Sequence, residues 1–185
     1  DQSYFGNMAL RPILEAPDPR LRLKSKRVET IDADIRTLVA DMFETMYDAP
    51  GIGLAAIQVG VPLRLLVMDL QEMVEDDEGG EPYPVRYPRV FVNPVILEPA
   101  EDRRAYNEGC LSLPDQYADV ERPASCRATW TDLDGVVHDE RIEGMLATCL
   151  QHEMDHLEGV LFIDHLSRLK RDMVMKRLAK LKKAA

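Results

Sequence analysis

The sequence predicts an α+β fold, in which antiparallel strands pack around a central helix, with an amphipathic helix near the N-terminus and a basic helix at the C-terminus. Strand-like segments cluster in the middle of the chain, whereas helical patterns lie at its start, late middle and end. This order does not fit the regular alternation of strands and helices in a parallel sheet. With 185 residues, 45% of them hydrophobic and 30% charged, the chain has the size and composition of one globular domain.

The first helix is predicted by a stripe of apolar residues that recur at helical spacing. Asp32 or Thr30 can cap its start, and Pro50 followed by Gly51 ends the pattern. The stripe consists of Ile35, Leu38, Val39, Met42, Phe43, Met46 and Tyr47. One face of this helix is therefore expected to lie in the core.

Four short strand-like segments follow the first helix, at residues 63–70, 89–97, 125–133 and 136–142. The last two flank an Asp-Gly dipeptide, which is typical of a hairpin turn. Between the first two, residues 71–84 contain six acids, no base and two adjacent glycines. That composition predicts a solvated loop. A second helix is expected from about Glu143 to Leu157, with Gly159 just past its end, and a third over about 167–183.

The charge of the chain is uneven. The net charge of −10 argues against general or sequence-specific nucleic-acid binding, yet residues 167–183 hold eight Lys/Arg and one Asp. Leu169, Val174, Leu178 and Leu181 form a partial apolar stripe along this segment. The segment therefore predicts either an amphipathic helix with a solvated charged face or a contact surface for a partner of its own. No apolar run is long enough for a membrane span. Three widely spaced cysteines favour a reducing cytoplasm over a disulfide framework.

A HExxH motif occupies the second predicted helix. Residues four apart share one helix face, so His152 and His156 can bind one metal ion. Glu153 lies beside them and can take a proton from water and later return it. The alternative is a chance pair of surface histidines, which the glutamate in the required position disfavours.

A catalytic metal needs a third protein ligand, and three sources can be compared. Metzincins continue the motif with another histidine, but Phe162 stands at that position. Thermolysin-like enzymes use a downstream glutamate, but residues 170–181 contain none. Upstream, Cys110 lies in a short segment flanked by strands, and a thiolate is a strong ligand for transition metals. A Cys/His/His set would leave a fourth position open for water.

Three motifs together resemble the peptide deformylases, which remove the formyl group from the initiator methionine of nascent bacterial proteins. They are GIGLAAIQ at residues 51–58, EGCLS at 108–112 and QHEMDH at 151–156. Their order and spacing also fit, and the similarity extends from about Leu10 to the C-terminal helix. The resemblance implies hydrolysis of formyl-methionyl peptides by metal-activated water.

The resemblance also implies roles for individual residues. Cys110, His152 and His156 would be the metal ligands, and Glu153 the general acid and base. Gln58 and the backbone N–H of Leu111 would donate hydrogen bonds to the oxyanion. The family usually uses Fe(II), with Zn, Ni or Co in isolated preparations. The substrate-binding residues would be Ile52, Gly53, Tyr106, Gly109, Met145, Thr148 and Cys149.

The domain organisation and setting follow from these assignments. Residues 1–7 precede Met8, a natural start, and are interpreted as a leftover of cloning. Residues 8–166 are predicted to form a single catalytic domain, and 167–185 its basic C-terminal helix. In relatives this helix contacts the ribosome, which implies the same partner in the cytoplasm here. Two alternatives are a HExxH metallo-endopeptidase and a non-catalytic, ribosome-associated metal-binding module.

Overall fold

The computed structural model describes residues 9–185, so the interpretation of residues 1–7 lies outside the described part of the chain. The helices in the described range are α1 (Ala33–Asp48), α2 (Gly144–Leu157) and α3 (Arg168–Ala184). The strands are β1 (Gly53–Ala55), β2 (Leu65–Met68), β3 (Met73–Val74), β4 (Tyr83–Pro84), β5 (Arg89–Leu97), β6 (Arg103–Cys110), β7 (Leu113–Pro123), β8 (Ser125–Thr131) and β9 (Val137–Glu143). Short 3₁₀ helices span Pro19–Arg22, Ala56–Val59 and Phe162–His165.

The strands form one main sheet and two hairpins, with antiparallel pairing throughout. The main sheet has the strand order β1-β2-β5-β8-β9, so β1 lies at one edge. β6 pairs with β7, and β3 pairs with β4. The predicted class, a mixture of helices and antiparallel strands, is confirmed.

Helix α1 covers one face of the main sheet. The side chain of Asp32 accepts a hydrogen bond from the backbone N–H of Ile35, at 2.9 Å, and so caps the helix as predicted. The apolar stripe faces inward: six of its seven residues are buried, and Tyr47 is half-buried. These residues pack against Leu65 and Val67 of β2.

Helix α2 covers the opposite face of the same sheet. Leu66 and Met68, which alternate with the residues facing α1, pack in a second cluster with Ala147, Leu150 and other residues of α2. Because β2 lies between two helices, all four of its residues are buried. The helix that carries the HExxH motif is thereby enclosed by the core.

Helix α3 packs on the domain through two residues. Val174 and Leu178 are buried in a third apolar cluster with Leu21 and Phe162. Leu169 and Leu181, which the sequence placed on the same stripe, are 71% and 42% exposed. The apolar face of α3 is therefore narrower than predicted, and most of its basic residues are exposed.

Two parts of the fold differ from the sequence prediction. The long hairpin of β6 and β7 was not predicted as strands. The first five residues of β6 are all exposed, so the segment lacks the hydrophobic alternation that would indicate a strand. The acidic segment predicted as a loop contains the short hairpin of β3 and β4, whose residues are all exposed. The β3–β4 hairpin buries no side chain, whereas β7 contributes Leu113 and Val120 to the third apolar cluster.

Candidate active site

The three sequence motifs converge where the edge of the main sheet, the β6–β7 hairpin and α2 meet. Cys110 is the last residue of β6, and the two histidines lie one turn apart on α2. One ligand atom from each of Cys110, His152 and His156 lies within 4.8 Å of the others. Cys110 Sγ is 3.4 Å from His156 Nε2. One thiolate and two imidazoles form a donor set that suits a divalent transition metal, so this cluster could hold a metal ion.

Burial and neighbouring groups set the ionisation of the cluster. Burial raises the pKa of the Cys110 thiol, but His156 and His152 together outweigh burial and bring this pKa well below its usual value. Burial lowers the pKa of His152, but Cys110 and Glu108 outweigh it and raise that pKa. The arrangement therefore stabilises the thiolate, the form of cysteine that binds metal.

Glu108 orients His152 through a buried ion pair. His152 Nδ1 donates to Glu108 Oε1 at 2.8 Å. Arg122 of β7 binds both carboxylate oxygens of Glu108, at 2.7 and 3.0 Å. Burial raises the pKa of Glu108, but the hydrogen bonds from His152 and Arg122 together outweigh this effect and lower the pKa. The carboxylate is therefore ionised and only accepts hydrogen bonds. One proton of His152 is thus held at Nδ1, and Nε2 faces the cluster, where it can bind a metal ion.

The charge network extends from Arg122 to Asp155 of α2 and to His165. Arg122 Nη1 donates to Asp155 Oδ2 at 2.9 Å, and His165 Nε2 lies 2.7 Å from the same oxygen. His165, an exposed residue, therefore belongs to the same charge network. Sequence reasoning missed Arg122 and Asp155. The position of Asp155 between the two histidines was a signal, whereas Arg122 gave none.

Phe162 lies where a metzincin would have its third histidine. It is 1% exposed, and its ring stacks on that of His152 with 6.1 Å between centroids. The residue therefore packs against a predicted ligand.

Glu153 lies beside the cluster with its carboxylate enclosed. Its Oε1 is 3.9 Å from His152 Nε2. Its Oε2 is buried, and no residue in the range 9–185 hydrogen-bonds it. Burial raises the pKa of Glu153, and the nearby histidines oppose that change only in part. A buried polar atom without a protein partner is costly, which is typical of a group that acts on a ligand.

Gln58 is fixed by bonds at both ends of its side-chain amide. Its Oε1 accepts from the backbone N–H of Ala55 at 2.9 Å. Its Nε2 donates to Ser112 Oγ at 3.0 Å and lies 3.5 Å from Cys110 Sγ. These contacts settle the orientation of the amide, with its N–H groups toward the cluster. Ser112 was part of a sequence motif, but its contact with Gln58 was not predicted.

A cleft of about 700 Å³ opens onto this cluster. Gln58, Cys110, Leu111, His152 and Glu153 line it, whereas His156 is 1% exposed and is not part of the lining. Every residue predicted to bind substrate also lines the cleft: Ile52, Gly53, Tyr106, Gly109, Met145, Thr148 and Cys149. The fold thus brings all the predicted site residues together.

Close approach explains Gly53. A Cβ atom at this position would lie 2.9 Å from Glu153 Oε1 and 3.1 Å from Cys149 Sγ. Any larger residue would therefore displace the glutamate or the strand.

Known proteins resemble this chain over most of its length. The model of the polypeptide deformylase family matches residues 10–172. The peptide deformylase of Rhizorhabdus wittichii is 67% identical, over 96% of this chain and 98% of that protein. That of Novosphingobium aromaticivorans is 62% identical, over 96% of this chain and 100% of that protein.

Solved structures are also similar. The peptide deformylase of Legionella pneumophila has 44% identity and a TM-score of 0.82, over 95% of this chain and 97% of that one. The Ehrlichia chaffeensis peptide deformylase in complex with actinonin has 42% identity and a TM-score of 0.83, over 94% and 98% of the two chains.

Fold and site first define a class, that of α+β proteins in which a sheet edge, a hairpin and a HExxH helix bring a cysteine and two histidines together. Within that class, the chain belongs to the peptide deformylase family. It is an enzyme of this family, and its activity is the deformylation of nascent polypeptides.

The buried ion pair generates a prediction. Arg122→Met should lower the free energy of unfolding by about 3–5 kcal/mol, because Glu108 would remain buried without its cation. Metal affinity should fall roughly 10- to 100-fold, since His152 would lose its orientation. Urea unfolding and metal titration measure the two effects. The control is Arg104→Met, at the exposed position opposite Arg122 on β6. Equal stability and metal affinity in the two variants would refute the role of the ion pair.

Proposed function

We propose that this chain hydrolyses the N-formyl group from the initiator methionine of nascent polypeptides, with Glu153 as the proton carrier and Gln58 and Leu111 as the oxyanion site. The observation that carries this mechanism is the convergence of the Cys110/His152/His156 cluster with the unpartnered carboxylate of Glu153 at one cleft. The products are formate and a peptide with a free N-terminal amine.

Cys110, His152 and His156 would hold one divalent metal ion, for which we propose Fe(II) as the native choice. Cysteine and histidine donors suit iron, zinc, nickel and cobalt alike, so the proposal of iron rests on the family resemblance. When bound, such an ion supplies Lewis acidity, which polarises the formyl oxygen and lowers the pKa of water.

Glu153 would accept the proton of the attacking water at its carboxylate and pass it to the departing amine. The burial that raises its pKa supports this role, because an acid–base group works best when its pKa approaches the working pH. The water oxygen first bonds to the formyl carbon, and the electron pair of the carbonyl bond moves to the formyl oxygen. When that carbonyl bond re-forms, the carbon–nitrogen bond breaks, and the amine leaves with the proton from Glu153.

Gln58 and the backbone N–H of Leu111 would stabilise the negative charge on the formyl oxygen. The amide of Gln58 is held by Ala55 and Ser112, so it needs little reorganisation during the reaction. One well-placed donor of this kind contributes about 2.7–4 kcal/mol to transition-state stabilisation.

The cleft would bind the formyl peptide in an extended conformation. Edge strand β1 lies along it, and an unpaired strand edge can receive a peptide as an added strand. Ile52, Gly53 and Gly109 would contact the peptide backbone. The methionine side chain would lie near Tyr106, Met145, Thr148 and Cys149.

We further propose a ribosome contact through α3, which would place the protein in the cytoplasm. Support comes from the exposure of Lys176, Arg177, Lys180 and Lys183 on a chain whose net charge is −10. Such a positive surface would attract RNA phosphates. No helix within residues 9–185 combines the length and apolarity required to cross a membrane.

The first test concerns Glu153. Glu153→Gln should release formate from formyl-Met-Ala-Ser at least about 100-fold more slowly, because general acid–base catalysis is lost. Metal content and thermal stability should stay near the wild-type values. A parallel loss of metal would make Glu153 a ligand instead. If the wild-type protein cleaves an N-acetyl peptide at an internal bond and releases no formate from the formyl peptide, the endopeptidase alternative is favoured.

The second test concerns Cys110. Cys110→Ala should bind metal far more weakly than the wild-type protein, since the thiolate is lost. Elemental analysis after anaerobic purification measures occupancy and also identifies the metal. Cys126→Ala is the matched control, because that cysteine is buried and does not belong to the cluster. Full occupancy in Cys110→Ala would refute the Cys/His/His assignment.

The third test concerns α3. Replacing four exposed bases with glutamine should weaken cosedimentation with ribosomes and reduce its salt dependence, while formate release from a short peptide changes little. The four are Lys176, Arg177, Lys180 and Lys183. The control replaces an equal charge elsewhere on the surface, at Lys24, Lys26, Arg27 and Arg104. Equal weakening by both sets would leave α3 with a structural role only.

A further inference from the structure

The rim of the substrate cleft depends on a segment with little rigidity of its own. Gly51, Ile52 and Gly53 line the cleft, and two of the three are glycines. Gly53 is held by its pairing with Met68 of β2. Gly51 precedes β1, so contacts outside the sheet must hold it.

Three hydrogen bonds hold this outer part of the rim. The backbone N–H of Gly51 donates to Met46 O at 2.7 Å, and that of Asp69 donates to Ile52 O at 2.9 Å. The third bond comes from a side chain: Gln71 Nε2 donates to Gly51 O at 3.1 Å. Gln71 belongs to the acidic segment, whose purpose the sequence did not explain.

Gln71 is itself held in an unusual backbone conformation. Its φ of +50° lies in the left-handed region, which non-glycine residues rarely adopt. Its backbone N–H donates to Asp69 Oδ1 at 3.0 Å. Such a conformation persists only when the surroundings determine it, and here it directs the amide at the rim.

Asp69 is the centre of these contacts. It is 0% exposed, and its carboxylate also accepts from Tyr47 Oη at 2.5 Å and from the backbone N–H of Tyr87 at 3.0 Å. It thus joins the end of α1 to both ends of the segment that contains β3 and β4. The acidic segment and the cleft rim are therefore tied together through Asp69 and Gln71.

We infer that Gln71, oriented by Asp69, is a positioning residue for the substrate: it fixes Gly51, and with it the part of the rim that contacts the residues after formyl-methionine. This inference rests on the proposed function. Gly51 lies roughly 7 Å along an extended chain from Gly53, which adjoins Glu153. Loss of the Gln71 bond therefore disturbs binding of the longer peptide more than the reacting group.

The experiment compares Gln71→Ala and Gln71→Glu with Glu72→Ala, an exposed neighbour, as control. Gln71→Glu keeps the side-chain size but loses the donor. Both Gln71 variants should raise KM for formyl-Met-Ala-Ser roughly 2- to 10-fold, the effect of one hydrogen bond, with kcat within about twofold. KM for formyl-methioninamide, thermal stability and metal content should be unchanged. An unchanged KM for the longer peptide, or equal changes for both substrates, would overturn the inference.

Hydrogen exchange separates this inference from the proposed function. Amides of residues 51–54 should exchange faster in both Gln71 variants than in the wild-type protein and Glu72→Ala. This readout does not require turnover, so it still judges the Gln71 contact if the wild-type protein releases no formate, which would refute the proposed function alone. Unchanged exchange would show that Gln71 does not hold the rim.

Discussion

The rest of the site depends on the ion pair between Glu108 and Arg122. Both side chains are almost fully buried, and two hydrogen bonds join them across the β6–β7 hairpin. The two charges are offset by each other, by His152 and by Asp155. A single buried charge would be costly, but the paired charges form one ordered unit. Because the same unit reaches both the cysteine strand and the HExxH helix, it links two residues of the candidate metal cluster from separate elements.

The sheet provides the rigid frame for this unit. β2 is buried between α1 and α2, and its alternate residues belong to the two apolar clusters on either face. A helix enclosed in this way presents its histidines in a fixed orientation, since close packing leaves side chains few rotamers. The open edge of the sheet, at β1, is left beside the cluster, where a peptide can approach. The two faces of the sheet thus pack against the helices, whereas its edge at β1 leaves room for a substrate.

Local sequence patterns predicted many of these elements. The stripe on α1, its Asp32 cap and the two histidines one turn apart depend only on residues close in sequence, so they were readable without coordinates. The three short motifs also contain residues that line the cleft, such as Cys110, His152 and Glu153, because the chemistry of metal binding restricts the residue types that can serve. The other predicted lining residues, among them Tyr106 and Met145, came from the family resemblance. The stripe on α3 was only half right, since Leu169 and Leu181 are exposed whereas Val174 and Leu178 are buried.

What the sequence alone determined was therefore the fold class, the main helices and the set of reactive residues. The tertiary structure decided how those residues are oriented: Arg122 behind Glu108, Ser112 beside Gln58, and Gln71 on the rim at Gly51. Partners in these contacts are 14, 54 and 20 residues apart and follow no period. Their meeting depends on how the hairpins and the sheet pack, which is a property of long-range contacts and leaves no local pattern in the chain.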